Sequence, residues 1–126
     1  MLYFTSKSLK TLFILDLDEG TYEASSTESG AFNNQPDQVA RIVGSDILYF
    51  CEDGGSECGV HARDGAGRFF TILESDGEYD AETTGLAFSP NRMHMYVSFQ
   101  GYGIFVITRD DGRPFGGATL DIKYHA

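Results

Sequence analysis

An all-β fold built from repeats is what this chain predicts, on three observations. Tyr3, Tyr49 and Tyr96 stand 46 and 47 residues apart. Each lies in a short apolar stretch: Leu2-Tyr3-Phe4, Leu48-Tyr49-Phe50 and Met95-Tyr96-Val97. Each stretch is followed by a second apolar run and then by an acidic turn with glycine. Those runs are Leu12 to Leu15 with Asp16 to Gly20, Gly59 to Ala62 with Asp64-Gly65, and Gly103 to Ile107 with Asp110 to Gly112. A repeat of this length made of strands is the signature of a β-propeller blade. Such a ring closes with about four to eight four-stranded blades, and 126 residues hold fewer than three such repeats. The expected architecture is therefore a partial propeller of about two and a half antiparallel blades. It reads as a fragment, with Met1 an internal methionine or an assigned start, and the missing N-terminal blades or other copies of the chain are needed to close the ring.

The elements follow in order. Tyr, Phe, Ile, Val and Thr fill the short runs, and glycine-rich acidic clusters separate them, which is strand and turn chemistry. A first partial blade covers residues 1 to 25. Residues 26 to 38 form a polar connection. A second blade spans 39 to 75, with strands expected at Val39 to Val43, Ile47 to Cys51, Gly59 to Arg63 and Phe69 to Leu73. A polar link, Glu74 to Thr84, leads to a third blade over 86 to 124, with strands at Leu86 to Phe88, His94 to Phe99, Ile104 to Thr108 and Thr119 to Tyr124. Ser89-Pro90-Asn91-Arg92 is a turn, because proline presets φ and asparagine tolerates the left-handed region. Leu120, Ile122 and Tyr124 alternate with polar residues, the period-two pattern of a half-buried strand. No helix is expected.

Composition narrows the partners. The net charge of −10, from 19 acids against 9 bases, argues against nucleic acid, since phosphate backbones need a basic footprint. It permits a self-repelling surface or a cation-binding cluster. No apolar run approaches the roughly 20 residues of a membrane span, and the chain opens without the pattern of a secretory signal. Cys51 and Cys58 flank a hairpin-like loop, so either a cross-strand disulfide or two half-buried thiols is expected. Their spacing is not that of a zinc site. Asp16-Leu17-Asp18-Glu19-Gly20 imitates the opening of an EF-hand, but its glycine comes one position early and Thr27 stands where the closing glutamate belongs. It reads as a hairpin turn.

Loops entering the innermost strands of a propeller converge at one mouth of its channel. Asp37 and Glu82, 45 apart, precede the first strands of the second and third blades, and Glu52-Asp53 ends a neighbouring strand. Carboxylates gathered at one point repel unless a cation sits among them, and calcium is the usual solution. The alternative is that these acids cap turns and bind water. His61, beside the acidic loop, is either a contact for phosphate or metal or a plain strand residue. Arg63 and Arg109, 46 apart, suit phosphate binding or a repeated ion pair with Asp64 or Asp110.

Four elements in order resemble the C-terminal part of the PhoX-type alkaline phosphatases: Pro36-Asp37, Glu52-Asp53-Gly54, Glu82-Thr83-Thr84-Gly85 followed by Ser89-Pro90-Asn91, and the strand ending in Gln100. The similarity covers roughly residues 30 to 112. It implies a six-bladed propeller with an axial cluster of calcium and iron that hydrolyses phosphomonoesters in alkali, in a secreted or periplasmic protein. Carried over, Asp53 and Glu82 become calcium ligands, with Glu52 as the alternative to its neighbour and Asp37 as a further candidate. His61 and Gln100 become candidate substrate contacts. The family's His-Pro-Gly after the glutamine is replaced by Gly101-Tyr102-Gly103, and the family's iron ligands have no counterpart here. The expectation is a metal-dependent phosphatase segment, inactive alone, and the rival is a non-catalytic propeller module with structural calcium.

Overall fold

The computed structural model describes residues 1–29, 34–54, 58–75, 77 and 81–116. Those residues form ten strands and no helix: β1 (Leu2–Ser6), β2 (Thr11–Asp16), β3 (Thr21–Ser26), β4 (Gln35–Arg41), β5 (Leu48–Asp53), β6 (Gly59–Arg63), β7 (Phe69–Glu74), β8 (Thr83–Phe88), β9 (Met95–Phe99) and β10 (Gly103–Ile107). They make three open antiparallel meanders, β1-β2-β3, β4-β5-β6-β7 and β8-β9-β10. The expected strand from Thr119 to Tyr124, and His125, lie outside the described residues.

The repeat survives in the pairing. Tyr3, Tyr49 and Tyr96 lie on β1, β5 and β9, opposite Ile14, Ala62 and Val106 on the next strand of each sheet. The first strands of the second and third sheets also match. Ala40 faces Tyr49 and Ala87 faces Tyr96, and each strand carries a register shift just before that alanine, between Pro36 and Val39 in β4 and between Thr84 and Ala87 in β8. Pro36 is tolerated because β4 is an edge strand. In the Ser89 turn it is Arg92, with φ of 61°, that takes the left-handed conformation expected of Asn91. The Ser89 and His94 backbone groups close that turn at 2.9 Å.

Burial explains why the strands differ in pattern. The middle sheet lies between the other two, so β5 and β6 are buried on both faces and their sequences need not alternate. One face, with Leu48 and Phe50, packs on Leu12 and Ile14 of β2. The opposite face, with Tyr49, Val60 and Ala62, packs on Met95, Val97 and Phe99 of β9. The outer sheets have one covered face each. In β2, buried Leu12 and Ile14 alternate with more exposed neighbours. In β9, Met95, Val97 and Phe99 are buried and Tyr96 faces outward. The three tyrosines thus share a position and have different surroundings.

A fully buried large apolar side chain contributes roughly 2–3 kcal/mol by transfer alone, with a further cavity cost on truncation. Phe50→Ala is expected to destabilise the chain by about 3–5 kcal/mol in urea unfolding. Val43→Ala, at a side chain 95% exposed, should change stability by no more than about 0.5 kcal/mol.

Candidate functional site

Three of the acids singled out in the sequence meet at one lysine. The Lys7 Nζ lies 2.7 Å from Asp53 Oδ2, 3.1 Å from Asp37 Oδ2 and 3.6 Å from Glu82 Oε1. Each acid is held by a different element. Asp53 is the last residue of β5, and Gly54 beyond it turns the chain away with φ of 78°. Asp37 lies inside β4, at its register shift, rather than before the strand as expected. Its carbonyl accepts the Thr5 hydroxyl at 2.5 Å, which ties β1 to β4 beside the cluster. Glu82 immediately precedes β8, and its carbonyl accepts the Gln100 amide at 2.9 Å. Lys7 itself opens the β1–β2 turn, which closes through the Lys10 amide on the Lys7 carbonyl at 3.1 Å.

The charges divide in a consistent order. Lys7, bonded first of all to Asp53, has its pKa raised, so the ammonium is secure. Asp53, the nearest acid, is held below the usual carboxylate range by its hydrogen bond to Lys7. Glu82, the farthest, is pushed up by burial first and then by the neighbouring Asp37 and Asp53 carboxyls. One ammonium cannot neutralise three carboxylates, and the acid with the weakest hold on it is the one whose proton affinity rises. All four side chains keep a share of solvent, from 21% for Asp37 and Glu82 to 42% for Lys7, so their interactions are screened.

Glu52, adjacent to Asp53, takes no part in this group. Its carboxylate is buried, 2.9 Å from His61 Nε2, and accepts the Gly59 amide at 3.1 Å. The other ring nitrogen of His61 is 3.3 Å from the Thr71 hydroxyl. His61 is 1% exposed, so this pair is enclosed beneath the surface. Thr83 joins the two regions. Its hydroxyl accepts the Glu52 amide at 2.9 Å and donates to the Gly59 carbonyl at 2.6 Å, fastening β8 to β5 and β6. Cys51, on β5 and fully buried, is a thiol whose pKa is pushed up to about 12, by burial foremost. Cys58 is also a thiol, and Val60, not Cys58, stands opposite Cys51.

Sequence reasoning gave the first repeat no part in the site, and the structure corrects that. Lys7 follows Tyr3 by four residues, as Asp53 follows Tyr49 and Gln100 follows Tyr96. The three positions end equivalent strands, so the tyrosine period itself pointed to Lys7. Asp37 and Glu82 are not register equivalents: Asp37 is three residues before Ala40, and Glu82 five before Ala87. They meet at Lys7 although their positions in register differ. The repeated ion pair expected for Arg63 and Arg109 is absent too. Arg63 reaches Glu23 and Ser25 on β3, whereas Arg109 pairs with Asp111 in its own turn. A groove of about 760 Å³, lined in part by Arg41, Phe88, Pro90 and Arg92, opens at the opposite ends of β4 and β8, and no acid lines it.

Comparison of the chain with protein-family models, with curated proteins and with solved structures gives no significant match.

Two predictions follow from this geometry. The depressed pKa of Asp53 stabilises the fold above the ordinary carboxylate range, and that contribution is lost as pH falls through its folded value. The raised pKa of Glu82 works oppositely: its contribution is complete at low pH and lost as pH rises through its folded value. Lys7→Met removes the first effect and enlarges the second. Its unfolding free energy is therefore expected to fall more steeply than that of the unmodified chain between about pH 4 and pH 7, and carboxyl NMR should show both acids titrating higher. Thr83→Val leaves the Glu52 amide and Gly59 carbonyl unpaired and should cost about 1–3 kcal/mol, with Thr83→Ser restoring most of it.

Proposed function

We propose that the chain is the C-terminal segment of a PhoX-like, metal-dependent phosphomonoesterase, and that its three sheets are consecutive blades of a six-bladed ring. The observation that carries this reading is the convergence of Asp37 on β4, Asp53 on β5 and Glu82 just before β8 on one cationic point. Carboxylate oxygens with partial access to water are the donor set calcium prefers, and the Lys7 ammonium marks the place where a positive charge is stabilised. Asp53, Glu82 and Asp37 would hold the ion. Glu52 is committed to His61 and Gly59, which favours Asp53 as the ligand of that pair.

When bound, calcium supplies positive charge that offsets the charge of a phosphate group. Lys7, whose stem is partly in water, turns outward to make room and becomes a point charge for phosphate oxygens. Gln100, exposed at the same end, is a candidate substrate contact, while His61 acts from beneath by fixing Glu52. Among the described residues no group of three or more His, Cys, Asp or Glu side chains stands at metal-holding spacing, so calcium uptake requires the three carboxylates to close in on the place of the Lys7 ammonium, and iron has no ligand set here. With the remaining blades lacking, the segment is inactive by itself.

The rival reading is a non-catalytic module with structural calcium, and one observation counts against calcium in both readings: Lys7 already supplies a cation to all three acids. Calorimetric titration with calcium chloride separates the two, together with p-nitrophenyl phosphate turnover by the complete ring with calcium and iron supplied. The phosphatase reading expects calcium uptake and turnover, with Asp53→Asn and Glu82→Gln each weakening calcium binding by about tenfold or more. Calcium uptake without turnover establishes the module instead. Neither uptake nor turnover overturns both.

A further inference from the structure

The two outer faces of the molecule are the two halves of an interface that it uses twice internally. Toward the sheet preceding it in sequence, the middle sheet presents Leu48 and Phe50, the residues flanking Tyr49. Toward the sheet following it, the middle sheet presents Tyr49 and its partner Ala62. The third sheet obeys the same rule, turning Met95 and Val97, which flank Tyr96, to the middle sheet. In the first sheet, Tyr3 packs toward the middle sheet. Every sheet thus offers its tyrosine side forward and its flanking side backward.

Among the described residues, one of each remains uncovered. The backward face of the first sheet carries Leu2 and Phe4, 48% and 41% exposed. Phe4 stacks on Phe13 with ring centroids 4.9 Å apart. The forward face of the third sheet carries Tyr96 with its cross-strand partner Val106, and Ile104, the last two 56% and 74% exposed. Leu2 and Phe4 correspond to Leu48 and Phe50, and Tyr96 and Val106 to Tyr49 and Ala62. These faces are apolar, unlike in composition and complementary by the rule that builds the interior.

We propose that the forward face of one chain docks on the backward face of a second copy of the same chain, and that two copies close head to tail into a six-sheet ring. An interface between unlike faces is heterologous, and it forms a ring when its rotation closes. The occupant follows from continuity with the two internal interfaces: a copy of this chain carries the matching face in the matching register. The charge of −10 on each copy opposes the approach, so association should strengthen with added salt. The inference gives these two faces a different occupant from the segment reading above, in which further blades of the same polypeptide cover them, and its failure leaves calcium binding untouched.

Sedimentation equilibrium of the 126-residue chain tests it. The expected result is a species of twice the chain mass, favoured by salt. Phe4→Asp, on the backward face, and Ile104→Asp, on the forward face, should each give monomers, because every interface in either homodimer then contains one altered face. An equal mixture of the two variants should recover a dimer, through the unaltered forward face of one and the unaltered backward face of the other. Circular dichroism checks that each variant is folded, and Leu2→Lys with Val106→Lys replaces any that is not. A wild-type chain that stays monomeric, a folded variant that still dimerises alone, or a mixture that stays monomeric overturns the proposal.

Discussion

Burial of the middle sheet on both faces is the constraint from which the rest of the structure follows. β5 and β6 contribute side chains to two apolar layers at once, and among the described residues of the chain each outer sheet packs its apolar face on the middle one. At the end where the acids collect, two hydroxyls cross between neighbouring sheets. Thr83, reaching from β8 to two backbone groups of the middle sheet, and Thr5, reaching from β1 to Asp37, fasten that end on both sides. The positions of the acids are thus a by-product of core packing, fixed before any ligand is considered.

Electrostatics then decides what the assembled acids can be. Three carboxylates around one ammonium form a group with net negative charge in a partly desolvated setting, and its proton affinity is unequally shared. Asp53 is committed to the charged form, and Glu82 resists it. Such an arrangement responds to whatever cation is supplied, because a second positive charge would relieve the repulsion that lifts Glu82. The buried Glu52–His61 pair next to it is of the opposite kind, with its partners satisfied inside the middle sheet.

The strands and their order were legible because strand chemistry is local: aromatic and β-branched runs separated by glycine and acid. The site was legible in part. Asp37, Asp53 and Glu82 were found from their proximity to strand starts and ends, which is a statement about sequence alone. Lys7 was missed because its repeat holds no acid at the same place, and a search for like residues passes over an opposite charge. Which of Glu52 and Asp53 faces the cluster was not readable either. Adjacent strand residues point to opposite faces, and alternation puts Glu52 on the face of Leu48 and Phe50, where it pairs with His61, while Asp53 meets Lys7 from the very end of β5. Arg63 and Arg109 looked equivalent in spacing, but one ends β6 and the other lies beyond β10, so their partners differ.

The meander order of all three sheets also bears on how the chain acquires its structure. Every paired strand is a neighbour in sequence, so each sheet forms through short loop closures, and the slow, distant pairings that delay other all-β proteins are absent among the described residues. What is not local is the stacking. The first sheet brings only Leu12 and Ile14 as buried apolar residues, too little to hold a three-stranded sheet in water. It must wait for β5 and β6, and during that interval Phe4, Phe13 and Leu12 are available to any other partner. The central sheet is therefore a timing device as well as a scaffold: until it forms, the first sheet is an aggregation-prone segment.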